Sequence, residues 1–122
     1  MEASEGFGKK FRLLSHRDFQ NLHNGSVFIK SGKVHAYFKR TSNDQDFCRL
    51  GLSIGKKIGN AVKRNLLKRI IREDFRKGPL KLLSMDLLVI VSKDINSLTH
   101  NDAKNRVRED FRTLTKKLMK SL

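Results

Sequence analysis

The chain has 122 residues, enough for one domain with its own core, and carries 27 Lys and Arg against 12 Asp and Glu, a net charge of +15. Such a charge repels itself in a compact state and is better tolerated when a polyanion is the usual partner, so a merely basic bystander protein is disfavoured. A single cysteine, Cys48, excludes an internal disulfide, no apolar run reaches the length of a membrane span, and the first residues lack a signal-peptide core. These features together predict a reducing, cytoplasmic location.

Residues 1–10 are polar and contain glycine, and they read as a loose segment ahead of a single domain at 11–122. From Ser15 a short helix is expected, with Ser15 as N-cap, Phe19 and Leu22 on one side and Gly25 as its end. The stretch SVFIKSG is a candidate strand closed by a turn at Ser31-Gly32. In KVHAYFKR, Val34, Ala36 and Phe38 point one way and His35, Tyr37 and Lys39 the other. After a polar loop, TSNDQD, the pattern resumes with Cys48, Leu50, Leu52 and Ile54 facing a core. Phe47, Arg49, Gly51 and Ser53 make the opposite face.

A helix is expected from an Asn60 N-cap to about Lys77, stopped by Gly78-Pro79. The unbroken apolar run Leu87–Val91 predicts a strand covered on both faces. Thr99 and Asp102 stand at capping-box spacing, and Ala103, Val107, Phe111, Leu114 and Leu118 then recur at helical intervals. The element order is αβββαβα, an α+β domain without internal repeats.

The helix at 60–77 divides its residues by type. At about 100° per residue, Val62, Leu66, Leu67, Ile70, Ile71 and Phe75 fall within roughly 0° to 220°. Arg64, Asn65, Lys68, Arg69, Arg72 and Arg76 fall within roughly 200° to 340°. Solvated helix faces usually mix opposite charges at i,i+4; here the strip is of one sign and Glu73 only borders it. Phosphate would neutralise that repulsion, and arginine suits bidentate phosphate contacts. Lys56 and Lys57 precede the helix between glycines, and the helix N-terminus is itself a site for anions. The loop is not a nucleotide-binding P-loop, because no Ser or Thr follows the lysine.

The segment RLGLSIGKKIGNAVKRNLLKRIIRE, preceded by RLLSHRDFQ, resembles the protein subunit of bacterial ribonuclease P from about Arg12 to the last helix. The resemblance implies a sheet packed against helices, with a left-handed βαβ crossover at the basic helix, a fold shared with the second domain of a small-subunit ribosomal protein. It also implies a partner: a catalytic RNA that, with Mg²⁺, removes the 5′ leader of precursor tRNA while a single protein copy supports the RNA and holds the leader. Arg64, Asn65, Lys68, Arg69 and Arg72 match the family's basic motif, whose second arginine is Leu66 here. Lys56 and Lys57 match its lysine pair; Asn60 and Arg76 extend the expected RNA-binding set.

The resemblance further implies a leader-binding cleft between the first helix and the open sheet face. Arg12, Phe19, His23 and Arg49 are its expected members, with Tyr37 or Phe38 as the strand aromatic. Aromatic rings with nearby cations are the usual apparatus for unstacked nucleotides, although Phe19 equally suits a core. The acids are scattered, and the histidines and Cys48 lack metal-ligand spacing, so no catalytic or metal-binding residue is assigned and Mg²⁺ is expected to sit mainly on the RNA. A structural RNA-binding protein of the ribosomal kind would need only the basic face. A DNA-binding regulator would need a helix-turn-helix pair, and the basic helix is flanked by strands.

Overall fold

A computed structural model describes residues 25–40 and 47–122, together with Arg17, Gln20 and Leu22. The expected loose segment at 1–10, the Ser15 cap, Arg12, Phe19, His23 and the loop at 41–46 lie outside the described residues. Four strands form one sheet: β1 (Val27–Ser31), β2 (Val34–Arg40), β3 (Cys48–Ser53) and β4 (Met85–Val91). Their spatial order is β1-β2-β4-β3, antiparallel except for the parallel pair β3 and β4. Helix α1 (Ala61–Lys77) joins β3 to β4, and α2 (His100–Ser121) follows β4. Helical backbone at Arg17, Gln20 and Leu22 agrees with a helix ahead of β1. Among the described residues, short 3-10 turns at Lys56–Ile58, Leu80–Leu82 and Lys93–Ser97 carry no apolar period and were not expected.

Alternation along the strands sorts the two faces. Val34, Ala36 and Phe38 stand opposite Val91, Val89 and Leu87 of β4, which in turn face Leu52 and Leu50 of β3. Leu67, Ile71 and Phe75 of α1 and Ala103, Val107, Phe111, Leu114 and Leu118 of α2 close over this side as one core. The other side of the sheet carries the rows Lys30-His35-Ile90-Ser53, Phe28-Tyr37-Leu88-Gly51 and Lys39-Asp86-Arg49. On it Leu22 packs with Leu88 and Ile90 as a small second cluster. The central strand β4 is therefore apolar toward both layers, which accounts for its unbroken run.

Long-range polar contacts fix the helices to the sheet. Gly32, at φ +59°, turns the β1–β2 hairpin where an added Cβ would lie 2.5 Å from the Asp110 carboxylate, so only glycine fits. Asp110, on α2, accepts the Lys33 backbone N–H at 2.8 Å and Arg106 Nε at 3.1 Å. Lys117 Nζ donates to the Lys30 carbonyl at 3.0 Å. Between the helices, Arg112 donates to both carboxylate oxygens of Asp74, at 3.2 and 3.4 Å. Thr99 caps α2 by accepting from Asp102 N–H at 3.1 Å, as the capping-box spacing predicts.

Candidate nucleic-acid interface

The basic helix begins and ends where its signals place it. Asn60 Oδ1 accepts the Lys63 backbone N–H at 3.0 Å, and Gly78 follows the last helical residue, Lys77. The expected RNA contact by Asn60 is thereby narrowed: its carbonyl oxygen is committed to the cap, which leaves its amide group. Lys56 and Lys57 are exposed on the 3-10 turn that Ile58 pins to the core. Asn65 and Arg69 are exposed; Arg64, Lys68, Arg72 and Arg76 are half-buried along their stems. Arg64 Nε donates to the Gly59 carbonyl at 3.2 Å, which orients its guanidinium beside the helix start.

The apolar arc of α1 is narrower than the expected one and shifted. Val62, assigned to the packing side, is 67% exposed, and Leu66 is only half-buried. Their place is taken by Lys63, which the wheel left out and which is 4% exposed. Its Nζ donates to the carbonyls of Ile95 at 3.1 Å, Asn96 at 3.4 Å and Leu98 at 2.7 Å. A buried ammonium is stable only when its protons find acceptors, and here the carbonyls of the 3-10 turn after β4 and of Leu98 just beyond it supply them. Lys63 thus ties the start of α1 to the segment entering α2. Gly59 makes room for it: a Cβ there would come 2.7 Å from Lys63 Cδ.

On the outer sheet face Tyr37 is the strand ring that faces away from the helices. Phe38, the alternative, is 5% exposed in the main core on the opposite side and is removed from the expected cleft. Tyr37 has a neighbour that the sequence reading missed. Phe28 is 50% exposed, with its ring 5.0 Å from Tyr37 at a tilt of 53° and 5.8 Å from His35 nearly edge-on at 72°. The signal was present: alternation in both strands of the hairpin puts Phe28 directly across from Tyr37. Burial, then Lys30, lowers the pKa of His35, with Asp94 opposing, so its ring favours the neutral form.

Arg49 lies on the same face but not as an unpartnered cation. Its Nε and Nη2 each donate at 2.9 Å to the two oxygens of Asp86, a two-pronged pair across β3 and β4. Asp86, which the sequence reading gave no role, is 7% exposed and offsets that charge. Cys48 is buried against the core; burial and then Asp86 push its thiol far up, so it is no nucleophile. Among the described residues no three His, Cys, Asp or Glu side chains gather as a metal site, and no helix is long and apolar enough to cross a membrane.

A strip of cations on one side of a four-stranded mixed sheet, with exposed Phe28 and half-buried Tyr37 on the other, defines a small basic α+β domain of the nucleic-acid-binding class. The family model described as Ribonuclease P matches residues 7–119. The chain belongs to the bacterial ribonuclease P protein family: it is a subunit of that endoribonuclease and functions in tRNA 5′ maturation. It is 35% identical over 94 residues to the ribonuclease P protein component of Macrococcus caseolyticus, covering 77% of this chain and 81% of that one. It is 31% identical over 113 residues to the corresponding protein of Staphylococcus epidermidis, covering 90% and 97%. Among solved structures, the Staphylococcus aureus RNase P protein superposes with a TM-score of 0.74 at 28% identity, covering 87% of this chain and 93% of that one. The protein from Thermotoga maritima, bound to 1-(4-fluorophenyl)-2-thiourea, does so with 0.67 at 29%, covering 84% and 95%.

Proposed function

We propose that the chain divides its work between two faces. The strip of Arg64, Asn65, Lys68, Arg69, Arg72 and Arg76, with Lys56, Lys57 and the Asn60 amide at its start, grips the phosphates of the catalytic RNA in a 1:1 complex. The outer sheet face, with Tyr37, Phe28 and Arg49, acts together with the cleft members expected from the sequence, Arg12, Phe19 and His23, to hold the unpaired 5′ leader of precursor tRNA. The observation that carries this reading is the placement of the cations and of the Phe28–Tyr37 ring pair on opposite layers, so that both can be occupied together.

The chain's own residues then act by binding and positioning. Guanidinium and ammonium groups neutralise phosphates that the RNA brings close together. Rings on the outer face take a base out of solvent, and the hydrogen-bonded hairpin keeps them in place. Mg²⁺ held on the RNA would supply the activation of the attacking water. No group of three His, Cys, Asp or Glu side chains gathers among the described residues, and the reading keeps the metal mainly on the RNA. The reading includes a left-handed crossover through α1, residues 11–122 acting as one unit, and a cytoplasmic setting.

The test is cleavage of precursor tRNA by the catalytic RNA at low Mg²⁺, with and without the chain. Addition should restore removal of the leader at Mg²⁺ concentrations where the RNA alone is slow. Equal rates with and without the chain would overturn the proposal.

A further inference from the structure

We propose that α2 carries a second phosphate-binding row, Lys104, Arg108, Arg112, Lys116 and Lys120, for a stretch of structured RNA other than the one α1 holds. The inference rests on the reading of RNA as the partner and adds a separate surface to it. The five cations follow one another at i,i+4, so they form a single ridge that rises about 6 Å per step and spans about 24 Å. Arg112, Lys116 and Lys120 are exposed, and Lys104 and Arg108 are half-buried along their stems.

The counter-charges around the ridge are few. Arg112 pairs with Asp74 of α1 at 3.2 Å. Asp110 is turned the other way, to the hairpin and Arg106. Glu109 is exposed beside the row without an ion pair among the described residues, and Asp102 lies in the first turn of α2. Among the described residues Lys104, Arg108, Lys116 and Lys120 have no acidic partner within ion-pair distance. A helix face selected only for solubility alternates signs at this spacing, because like charges at i,i+4 oppose the helix. A polyanion removes that opposition.

The two rows do not serve one strand. On α1, Asp74 points to α2, whereas Arg64, Lys68, Arg72 and Arg76 stand roughly 80° to 160° around the helix from it. Lys68, Arg72 and Arg76 therefore point away from α2, whereas Arg112, at the middle of the α2 row, reaches back to Asp74. Because α2 packs in the same layer as α1, on the side of the sheet opposite the rings, the phosphates are those of a second segment of the catalytic RNA.

The experiment uses the full chain with Lys104→Gln, Arg108→Gln and Lys116→Gln combined, leaving Arg112 to hold Asp74. The slope of log affinity for the catalytic RNA against log salt should fall by roughly 2 to 3, at about 0.7 to 0.9 per lost phosphate contact. A slope that holds while the assembled complex binds precursor and mature tRNA more weakly by the same factor would move the row to the tRNA body and overturn the assignment. Thermal unfolding should stay level or rise, since like charges have been removed. Unchanged slopes and tRNA affinities, alongside a reduced slope for an Arg64→Ala and Lys68→Ala control on α1, would overturn the α2 row alone. If the control is unchanged as well, the reading of RNA as partner falls with it.

Discussion

Lys63 illustrates how one side chain can be decisive and still escape a helical wheel. It sits in the apolar arc of α1 with its ammonium on three carbonyls, so its charge acts within the fold and not on a ligand. Lys63→Met keeps most of the volume and strands those carbonyls. It should lower stability by about 1–3 kcal/mol, the cost of leaving buried polar groups unmade. Urea unfolding measures this, and the salt dependence of RNA binding should stay as in the wild type; a reduced salt slope would mean that Lys63 reaches RNA. His35 gives a second residue-level expectation. Its pKa is lowered in the fold, first by burial and then by Lys30, so the unfolded chain takes up a proton at a higher pH. The folded state should thus lose stability as pH falls below the ordinary histidine value of 6.5 toward the lowered one, and be unaffected above it. The unfolding free energy of His35→Asn, subtracted from that of wild type between pH 7.5 and 5, isolates this share; a difference that grows in the opposite direction would show that the charged ring is favoured.

At the level of elements, most of what was local was legible. The Asn60 and Thr99 caps, the Gly78 stop, the five apolar positions of α2 and the double-faced β4 are all set by residues within a few positions of the feature. The 3-10 turn at Lys93–Ser97 was not legible, because its carbonyls are satisfied by Lys63, 32 to 35 residues away. The candidate site was partly legible for the same reason. Strand alternation separated Phe38 from Tyr37 in direction, but which face lay open depended on where α1 and α2 packed. Arg49 read as an available cation because its partner Asp86 is on a neighbouring strand. The margin of α1 is the clearest correction: Leu66 is half-buried, not in the core. Leu66→Ala should then cost less than about 2 kcal/mol, below the range for fully buried leucines. Leu66→Arg should fold, and its long stem can lie along the helix while the head meets solvent or phosphate. Thermal unfolding of both variants checks this, and a loss of folding in Leu66→Arg would place the residue back inside.

On the scale of the whole molecule, the sheet separates two surfaces, and their independence is measurable. Cations on α1 and rings on β1 and β2 lie in different layers: α1 and α2 cover one face of the sheet, and the row Phe28-Tyr37-Leu88 lies on the other. Changes on the two surfaces should therefore affect different ligands and add in free energy. Arg69→Ala should weaken assembly with the catalytic RNA while leaving, once assembled, the preference for precursor over mature tRNA intact. Tyr37→Ala should do the reverse. It removes a ring on which a leader base can stack, and should reduce precursor binding by about 1–3 kcal/mol if one base rests there. Mature tRNA has no leader, so its affinity should hold. Because Tyr37 also supports Phe28 at 5.0 Å, Phe28→Ala belongs in the same series. If Phe28 extends the platform, its loss also lowers the precursor-to-mature ratio; if it only props Tyr37, Tyr37→Ala and the double variant give the same ratio. The measurement is that ratio at fixed salt for each single variant and the double, with thermal unfolding to confirm the fold. A ratio unmoved by Tyr37→Ala in a folded protein would take the leader off this face, and an equal drop for both tRNA forms would assign the ring to general support of the complex.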